Sequence, residues 1–366
     1  MNAQDIGTAL QQHVLNALQD ATPLNITGGG SKTFLGLSTH GQQIDVSGHC
    51  GIVEYDPREL VLTARSGTTL QEIETALAEA GQMLAFEPPH FGDSATLGGT
   101  IACALSGPRR PYSGSARDFV LGCKLLNGRG EILRFGGQVM KNVAGYDVSR
   151  LMTGAYGTLG ILLEISLKVL PRPAASITVA RECSEVEAIE SMSGLLTKPH
   201  PVDGACYHGD HCYVRISGSA QAVKEARNKI PGDVMPDADA FWHALREHEL
   251  PFFRHSSTLY RIMVKPATPP LPIEGSWLLD WGGAQRWLYS HEDIATIRHR
   301  VELAGGYVTV FRSDDRPNET SQQPEIFQPL QIFQPLPGPL LTIHQRLKAS
   351  FDPKNIFNRG RLYAEL

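Results

Sequence analysis

The sequence predicts an α+β protein built of two domains. Strand-like and helix-like segments alternate along all 366 residues, a length that allows two hydrophobic cores. Glycine-rich loops are concentrated in the first half of the chain. The pattern changes after the Pro-Arg-Pro stretch at 171–173, so we predict domains over residues 1–173 and 174–366.

The first domain is predicted to begin with an amphipathic helix. Ile6, Leu10, Val14 and Leu18 recur at four-residue steps, the spacing of one helical face. This stretch lacks the basic region and continuous apolar core of a signal peptide. No run of 18 apolar residues occurs in the sequence. We therefore expect a cytoplasmic chain.

The remaining elements of the first domain follow from local signals. Alternating apolar residues predict strands, Thr69 and Glu72 form a capping-box pattern, and Asn-Gly or Asp-Pro pairs predict turns. The long stretch 86–118 has few strong helix or strand formers and is predicted as a functional loop. The predicted elements are a strand over 24–27, two strands within 51–67, a helix over 69–81, a hairpin over 119–137 and a strand over 161–170.

The second domain alternates strands and helices in a pattern typical of an α+β layer. The predicted elements are strand–helix pairs within 175–196 and 211–230, a helix over 239–253, a hairpin over 276–290, a helix over 291–306, a strand over 307–312 and a last helix over 340–351. The sequence Ile-Phe-Gln-Pro-Leu repeats within 326–336. Its prolines indicate an extended loop, either a packed crossover or a docking segment.

Composition and cysteine spacing exclude several classes of function. The formal net charge is -5 and no basic stripe occurs, so we expect no nucleic-acid partner. The hydrophobic content of 42% is that of an ordinary globular protein. The six cysteines are scattered without a C-x-x-C pair, which predicts reduced, packed thiols and no metal. If the protein handles electrons, it does so without its own metal cluster.

Three glycine-rich segments predict an anion cradle made of main chain. They are residues 28–32, residues 94–100 together with 106–114, and residues 154–160. Glycine lets successive N–H groups turn toward a ligand, and nearby hydroxyls add donors, so the three together indicate a large ligand with a pyrophosphate. Each loop alone is weak evidence for such a ligand, because an ordinary tight turn has the same composition. Neither a Walker loop nor a Rossmann glycine pattern is present.

The order of these segments resembles a known family. Residues 26–32, 55–81, 94–118 and 139–173 together resemble the FAD-binding domain of the vanillyl-alcohol oxidase/p-cresol methylhydroxylase (PCMH) superfamily, and 347–363 is similar to the usual ending of that family. The segments 139–152, 278–288 and 360–366 look like the smaller FAD-binding subunits of bacterial glycolate oxidase. The resemblance implies a PCMH-type FAD-binding domain of two α/β subdomains, followed by an α+β, ferredoxin-like cap whose C-terminal segment returns to the flavin domain.

The resemblance also implies where the cofactor binds. The first loop and the second loop would cradle the pyrophosphate, and the third would run beside the flavin. The implied cofactor-binding residues are Gly28, Gly29, Gly30, Ser31, Lys32, Ser94, Ala95, Thr96, Gly98, Gly99, Thr100, Ser106, Gly107, Tyr112, Ser115, Lys141, Asn142, Tyr146, Gly157, Thr158, Gly160 and Ile161. The first loop carries no His, where relatives with covalent FAD often do, so we expect non-covalent FAD. Lys141, Asn142, Tyr146 and Asp147 either contact the flavin or cap the following helix.

The substrate side of the site is less well defined by the sequence. No catalytic base is assigned. Arg109 and Arg110 either bind an anion or are solvated loop charges, and Arg359 and Arg361 in the family-like ending are further candidates. His208, Asp210 and His211 share only part of the metal motif of relatives that oxidise 2-hydroxy acids, so we interpret them as a polar turn, with a divalent metal as the alternative.

The resemblance implies a complex in which this chain meets a larger flavin subunit and an iron–sulfur subunit. The substrate would be glycolate or a related 2-hydroxy acid, and membrane contact would be peripheral, through the complex. We hypothesise that the larger subunit oxidises glycolate while this chain holds a second FAD. The alternatives are a stand-alone flavin dehydrogenase for another 2-hydroxy acid and a non-catalytic assembly subunit.

Overall fold

The structure is a computed structural model that describes residues 3–137, 146–313 and 331–366. The described residues form two compact units. The first contains residues 3–107, 114–137, 146–172 and 336–366, and the second contains residues 108–113, 173–313 and 331–335. The predicted positions Lys141 and Asn142, and the first part of the repeated segment within 326–336, lie outside the described residues.

The first half of the chain combines short helices with short strands. Its helices are α1 (Gly7–Gln19), α2 (Leu70–Glu79), α3 (Leu97–Cys103), α4 (Arg110–Ser113), α5 (Ala116–Phe119) and α6 (Val148–Leu151). Its strands are β1 (Leu24–Thr27), β2 (Gln42–Asp45), β3 (Ile52–Asp56), β4 (Val61–Arg65), β5 (Gln82–Met83), β6 (Val120–Leu126), β7 (Ile132–Gly136), β8 (Ile161–Lys168) and β9 (Leu170–Pro171).

The second half contains longer strands. Its strands are β10 (Ala175–Glu182), β11 (Val202–His208), β12 (His211–Gly218), β13 (Asp233–Val234), β14 (Leu259–Met263), β15 (Ser276–Asp280), β16 (Gln285–Tyr289) and β17 (Tyr307–Arg312). Its helices are α7 (Glu185–Leu195), α8 (Ala220–Arg227), α9 (Ala238–Glu247), α10 (Ile294–Leu303) and α11 (Gly338–Phe351). Short 3-10 turns cover Pro251–Arg254 and Trp281–Gly283.

The first unit is organised around a five-stranded antiparallel sheet. The strand order is β3-β4-β8-β6-β7, and α2 and α3 bury their apolar sides in the core beside it. A smaller layer pairs β1 and β2 in parallel, and α1 covers it with Leu10 and Val14. Phe357 from the end of the chain bridges to Leu24 of β1 and is fully buried in the same cluster. The last residues of the chain therefore form part of this core.

The second unit is an eight-stranded antiparallel sheet in the order β13-β10-β12-β11-β15-β16-β14-β17. Helices α7 and α8 pack on one cluster of its apolar residues, and α10 packs on another. The predicted hairpin over 276–290 is confirmed as β15 and β16, with Leu278 opposite Trp287. The observed units therefore agree with the α+β class that the pattern of elements predicts.

Several elements were not predicted from the sequence, among them β2, β14 and helix α3. Helix α3 lies inside the stretch that we predicted as a loop, because Gly98 and Gly99 disfavour helix when read alone. The Thr96 side chain accepts a hydrogen bond from the Gly99 N–H and caps the helix. Leu97 and Ile101 are fully buried, so packing outweighs the low helix propensity of the glycines.

Three of the cysteines are packed as the composition predicted. Cys123, Cys206 and Cys212 are buried, and Cys123 and Cys212 belong to apolar clusters. Burial raises the pKa of Cys123 and of Cys212 to about 12. These thiols therefore stay protonated at neutral pH and are poor nucleophiles.

Candidate functional site: three glycine loops in the first unit

The first two glycine loops touch each other through their main chains. A Cβ atom on Gly29 would lie 1.5 Å from the carbonyl oxygen of Ser94, and one on Gly28 would lie 2.8 Å from Thr96 Oγ1. The Ser94 hydroxyl donates a hydrogen bond to the Gly29 carbonyl. A side chain at Gly29 would force these loops apart, so the close approach itself requires glycine.

One side of the first loop is open. Gly30 has φ +74°, and a Cβ atom there would meet nothing within 4 Å. Lys32 is buried, and its ammonium donates to Ser31 Oγ at 3.2 Å and to the His90 carbonyl at 3.1 Å. A left-handed glycine beside empty space, with a buried cation two residues on, suits an anionic ligand.

The third loop packs against the end of helix α3. The Gly154 N–H donates to the Ile101 carbonyl, and the Tyr156 N–H donates to the Ala102 carbonyl, each at 3.0 Å. Gly154 and Gly157 have φ values of +85° and +71°. Because α3 begins within the second glycine segment and its last residues contact the third loop, the helix connects these two segments.

A side chain from the end of the chain joins the first and third loops. Asn358 Oδ1 accepts from the Ile26 N–H at 2.8 Å, and its Nδ2 donates to the Tyr156 carbonyl at 2.7 Å. A Cβ atom on Gly157 would lie 2.7 Å from that Nδ2. The carboxamide therefore fixes the spacing of the two loops, and glycine leaves room for it.

Two further side chains of the tail hold the same region. Lys348 donates to the carbonyls of Thr158 and Phe357 and to the Asp352 carboxylate. Arg361 donates to the carbonyls of Thr33 and Leu37, just after the first loop. The contacts to Thr158, Thr33 and Leu37 were not predicted from the sequence, apart from the candidate Arg361, because they join residues that are 190 to 328 positions apart in the chain.

The electrostatics of this region favour a negatively charged ligand. Burial lowers the pKa of Lys348, although Asp352 opposes the shift, and burial also lowers the pKa of Arg361. Burial raises the pKa of the Cys103 thiol, with Lys32 and Arg361 acting in the opposite direction. Lys32 and Arg361 are therefore close enough to Cys103 to act on its thiol, which stays neutral.

Three buried hydroxyls near the loops have no hydrogen-bond partner within the described residues. They are Ser66 Oγ, Thr100 Oγ1 and Thr153 Oγ1, and Ser66 and Thr100 are 0% exposed. Ser66 lies against Gly98 of the second loop, and Thr100 lies two residues further along α3. Unsatisfied buried hydroxyls are uncommon, and polar groups on a ligand would satisfy them. The open loop, the cations and these hydroxyls together fit a dinucleotide such as FAD.

The structure places most of the predicted cofactor-binding residues in this region. Residues 28–32, 94–100 and 157–161 lie in or directly beside the three loops. Ser106 Oγ accepts a hydrogen bond from the Ala116 N–H, and Gly107 packs against the Glu87 carbonyl. Both residues belong to the first unit.

Other predicted residues have local contacts or belong to the second unit. The Ser115 side chain pairs with Asp118 in a capping box at the start of α5. Tyr112 belongs to the second unit. Tyr146 is 94% exposed, and Asp147 caps α6 by accepting from the Arg150 N–H. Of the two alternatives for Asp147, flavin contact and helix capping, the structure thus shows helix capping.

The histidine-rich stretch of the second unit forms a hairpin turn. His208 ends β11, His211 begins β12, and Gly209 and Asp210 have the positive φ values of a tight turn. The predicted polar turn is therefore confirmed. Within residues 3–137, 146–313 and 331–366, no group of three His, Cys, Asp or Glu side chains converges in a way that would hold a metal ion. The same residues contain no helix that is long and apolar enough to cross a membrane.

Comparisons with known proteins agree with this geometry. Residues 8–136 match the family model of an FAD binding domain. The glycolate oxidase subunit GlcE of Escherichia coli (strain K12) is 49% identical over 362 residues, which are 99% of this chain and 99% of that protein. The glycolate oxidase subunit GlcD of Bacillus subtilis (strain 168) is 30% identical over 181 residues, which are 50% of this chain and 37% of GlcD. A D-lactate dehydrogenase of Anaerostipes hadrus is 35% identical over 129 residues, 35% of this chain and 26% of the dehydrogenase.

A solved structure of an alkyldihydroxyacetonephosphate synthase has a similar fold, with a TM-score of 0.65 and 15% identity, over 95% of this chain and 73% of that one. The fold and the three loops therefore define a flavoprotein of the oxidoreductase class, with FAD as its cofactor. Identity over the full length is more specific than the shared domain. The chain belongs to the family of the glycolate oxidase subunit GlcE.

Proposed function

We propose that this chain is an FAD-binding subunit of a glycolate oxidase complex that converts glycolate to glyoxylate. The observation that carries the proposal is the meeting of three glycine loops around helix α3, in a chain that is 49% identical over its full length to a protein named as a glycolate oxidase subunit. The resemblance to the PCMH-type superfamily supports the same assignment. A cytoplasmic chain that reaches the membrane only through its complex is consistent with the described helices.

The proposed cofactor site uses the main chain more than side chains. Glycines 28–30 and the start of α3 would cradle the pyrophosphate, with Lys32 supplying positive charge. Residues 157–161 would run beside the flavin, and the hydroxyls of Ser66 and Thr100 would form hydrogen bonds with the ligand. When bound, FAD supplies a two-electron acceptor for a substrate hydride. We propose that the binding is non-covalent, because the first loop carries Ser31 and Lys32 and no His.

The proposed complex contains a larger flavin subunit and an iron–sulfur subunit that receives the electrons. The larger subunit oxidises the 2-hydroxy acid, and this chain contributes a second flavin site. The scattered cysteines support a separate iron–sulfur subunit, since close-set ligand pairs are absent from the sequence. A stand-alone dehydrogenase and a non-catalytic assembly subunit are the competing functions.

The test uses the purified full chain and a matched pair of glycine variants. Gly29→Ala places a methyl group 1.5 Å from the Ser94 carbonyl oxygen, so we expect FAD binding at least tenfold weaker, about 1.4 kcal/mol. Gly194→Ala is the control, because its new Cβ meets nothing within 4 Å. A colourless wild-type protein that does not bind added FAD would refute the proposal.

Acid precipitation and co-purification test the finer points. Flavin released into the supernatant indicates non-covalent binding, whereas flavin that stays with the pellet contradicts it. Association with an iron–sulfur protein distinguishes the complex from a stand-alone dehydrogenase. Rapid glycolate-driven dye reduction by the chain alone would contradict the proposed division of labour.

A further inference from the structure

The second unit contains a cluster of arginine and aromatic side chains that the proposed cofactor site does not use. It involves residues 108–113, a short segment that includes α4 and packs against β11 and the 3-10 turn Trp281–Gly283. The sequence of this segment, Pro-Arg-Arg-Pro-Tyr-Ser, places two adjacent arginines beside one tyrosine.

The two adjacent arginines are in different environments. Arg109 pairs with the carboxylate of Asp203, whose other oxygen accepts from Arg215 Nε at 2.7 Å. Both oxygens of Asp203 are thus occupied, and the group is an internal ion-pair triad. Arg110, in contrast, has no carboxylate within ion-pair distance among the described residues. Its guanidinium carbon lies 4.3 Å from the centre of the Trp281 ring.

A second guanidinium approaches the same indole. The Arg261 guanidinium carbon lies 5.1 Å from the centre of the Trp281 ring, and Arg261 Nε donates to Gln285 Oε1 at 2.7 Å. Trp281 is 2% exposed. Two cations are therefore gathered on one buried aromatic ring, which orients a guanidinium plane but does not neutralise its charge.

A buried hydroxyl next to this ring lacks a partner. The Tyr112 Oη atom has no hydrogen-bond partner within the described residues, and it lies 3.3 Å from where a Cβ of Gly282 would be. Gly282 follows Trp281 directly, so the hydroxyl and the stacked guanidinium groups lie at the same turn. An orphaned buried hydroxyl is costly, and a ligand with an acceptor oxygen would satisfy it.

We propose that Arg110, Tyr112, Trp281 and Arg261 form a binding site for a small carboxylate of the 2-hydroxy or 2-oxo acid class. Arg110 is the charge partner, since a guanidinium fork matches the two oxygens of a carboxylate. Tyr112 Oη donates to the bound acid once the side chains part to admit it, and the Trp281 ring holds the guanidinium groups in place. The acid class rests on the proposed function, in which the complex as a whole handles this acid, whereas the preference for an anion rests on Arg110, which has no carboxylate within ion-pair distance among the described residues.

Calorimetric titration of the full chain with oxalate and with glycolate tests the site. We expect Arg110→Met to weaken oxalate binding at least tenfold, because a charge-assisted hydrogen bond is lost. Arg110→Lys keeps the charge without the planar fork and is expected to lose less. Tyr112→Phe is expected to weaken binding while leaving the melting temperature of the free chain unchanged or raised. Arg117→Met, at an exposed position of α5, is the control and should bind as the wild type does.

The bound flavin of every sample is measured separately by absorbance. Unchanged flavin content and melting temperature in Arg110→Met, together with weaker oxalate binding, support the site. Equal binding by Arg110→Met and the wild type, or no binding by the wild type at millimolar ligand, overturns it. A wild-type chain without flavin contradicts the proposed function, and the titration still decides the carboxylate site.

Discussion

The buried pair of Lys348 and Asp352 gives the sharpest prediction about the stability of the first unit. Lys348 lies in α11, and its ammonium donates to the Thr158 carbonyl at 2.6 Å, to Asp352 Oδ2 at 2.7 Å and to the Phe357 carbonyl at 2.7 Å. The Asp352 carboxylate also accepts the N–H groups of Ile356 and Phe357. All three ammonium donors are thus used, and one of them reaches the third glycine loop.

The variant Lys348→Met removes these bonds while keeping a side chain of similar length. Lys348 is 5% exposed and Asp352 is 1% exposed, so the carboxylate would stay buried without its cation. Removing one partner of such a pair costs about 3–5 kcal/mol. Because 1 kcal/mol shifts the melting temperature by roughly 2–4 °C in a domain of 150–250 residues, we expect a decrease of roughly 6–20 °C.

The assay follows flavin release on heating, since the loops and the pair belong to the same unit. Lys354→Met, at an exposed position, is the matched control. The double variant Lys348→Met/Asp352→Asn has no charge at the position of this buried pair. Its loss of unfolding free energy should therefore be smaller than the sum of the losses in the two single variants by about 0.5–3 kcal/mol. A melting temperature of Lys348→Met within about 2 °C of the wild type, or strictly additive losses, would refute the reasoning.

Three further predictions concern other parts of the molecule. Gly157→Ala forces a Cβ to within 2.7 Å of Asn358 Nδ2 at a φ of +71°, so we expect a loss of about 1–3 kcal/mol and weaker FAD binding, measured by flavin fluorescence. Burial lowers the pKa of His49, whose Nδ1 accepts the Ile6 N–H, so the contribution of the neutral imidazole to stability is lost as the pH falls below about 6.5 toward the lowered pKa. In His49→Asn the melting temperature should therefore depend less on pH in this range, and an unchanged slope would contradict the prediction. Asp203→Ala leaves two buried guanidinium groups without their anion and should cost about 3–5 kcal/mol by thermal melting of the second unit, whereas a neutral effect would show that water already screens them.

Local signals predicted most of the secondary structure. The turn residues at Asn127–Gly130 and the alternation around them determine the hairpin of β6 and β7, and burial then selects the side that faces the core. Helix α2 was predictable from Thr69, whose hydroxyl accepts the Glu72 N–H as a cap should. Helix α3 was not predictable, because its two glycines have low helix propensity and the helix is stabilised by the burial of Leu97 and Ile101 in the core.

The candidate site was likewise predictable from the sequence only in part. The glycine loops were visible in the sequence because an unusual density of residues without side chains points to close approach of main chain. The role of Asn358 was not visible, since its two partners lie at Ile26 and Tyr156 and nothing local distinguishes it from any other asparagine near a helix end. Likewise, nothing in the sequence told Arg109 from Arg110, because only the fold brings Asp203 to one of them.

The choice of residue at Asn358 follows from what the loops require. One planar group must accept from the Ile26 N–H and donate to the Tyr156 carbonyl, and a carboxamide does both, whereas a carboxylate has no donor. The residue also has φ +40°, a region that asparagine tolerates better than most other residues with a side chain. Asn358 therefore connects the end of β1, which leads into the first loop, with the third loop. A cofactor site made of bare main chain has little side-chain packing of its own to hold it, so its precision depends on distant side chains that hydrogen-bond to its carbonyls.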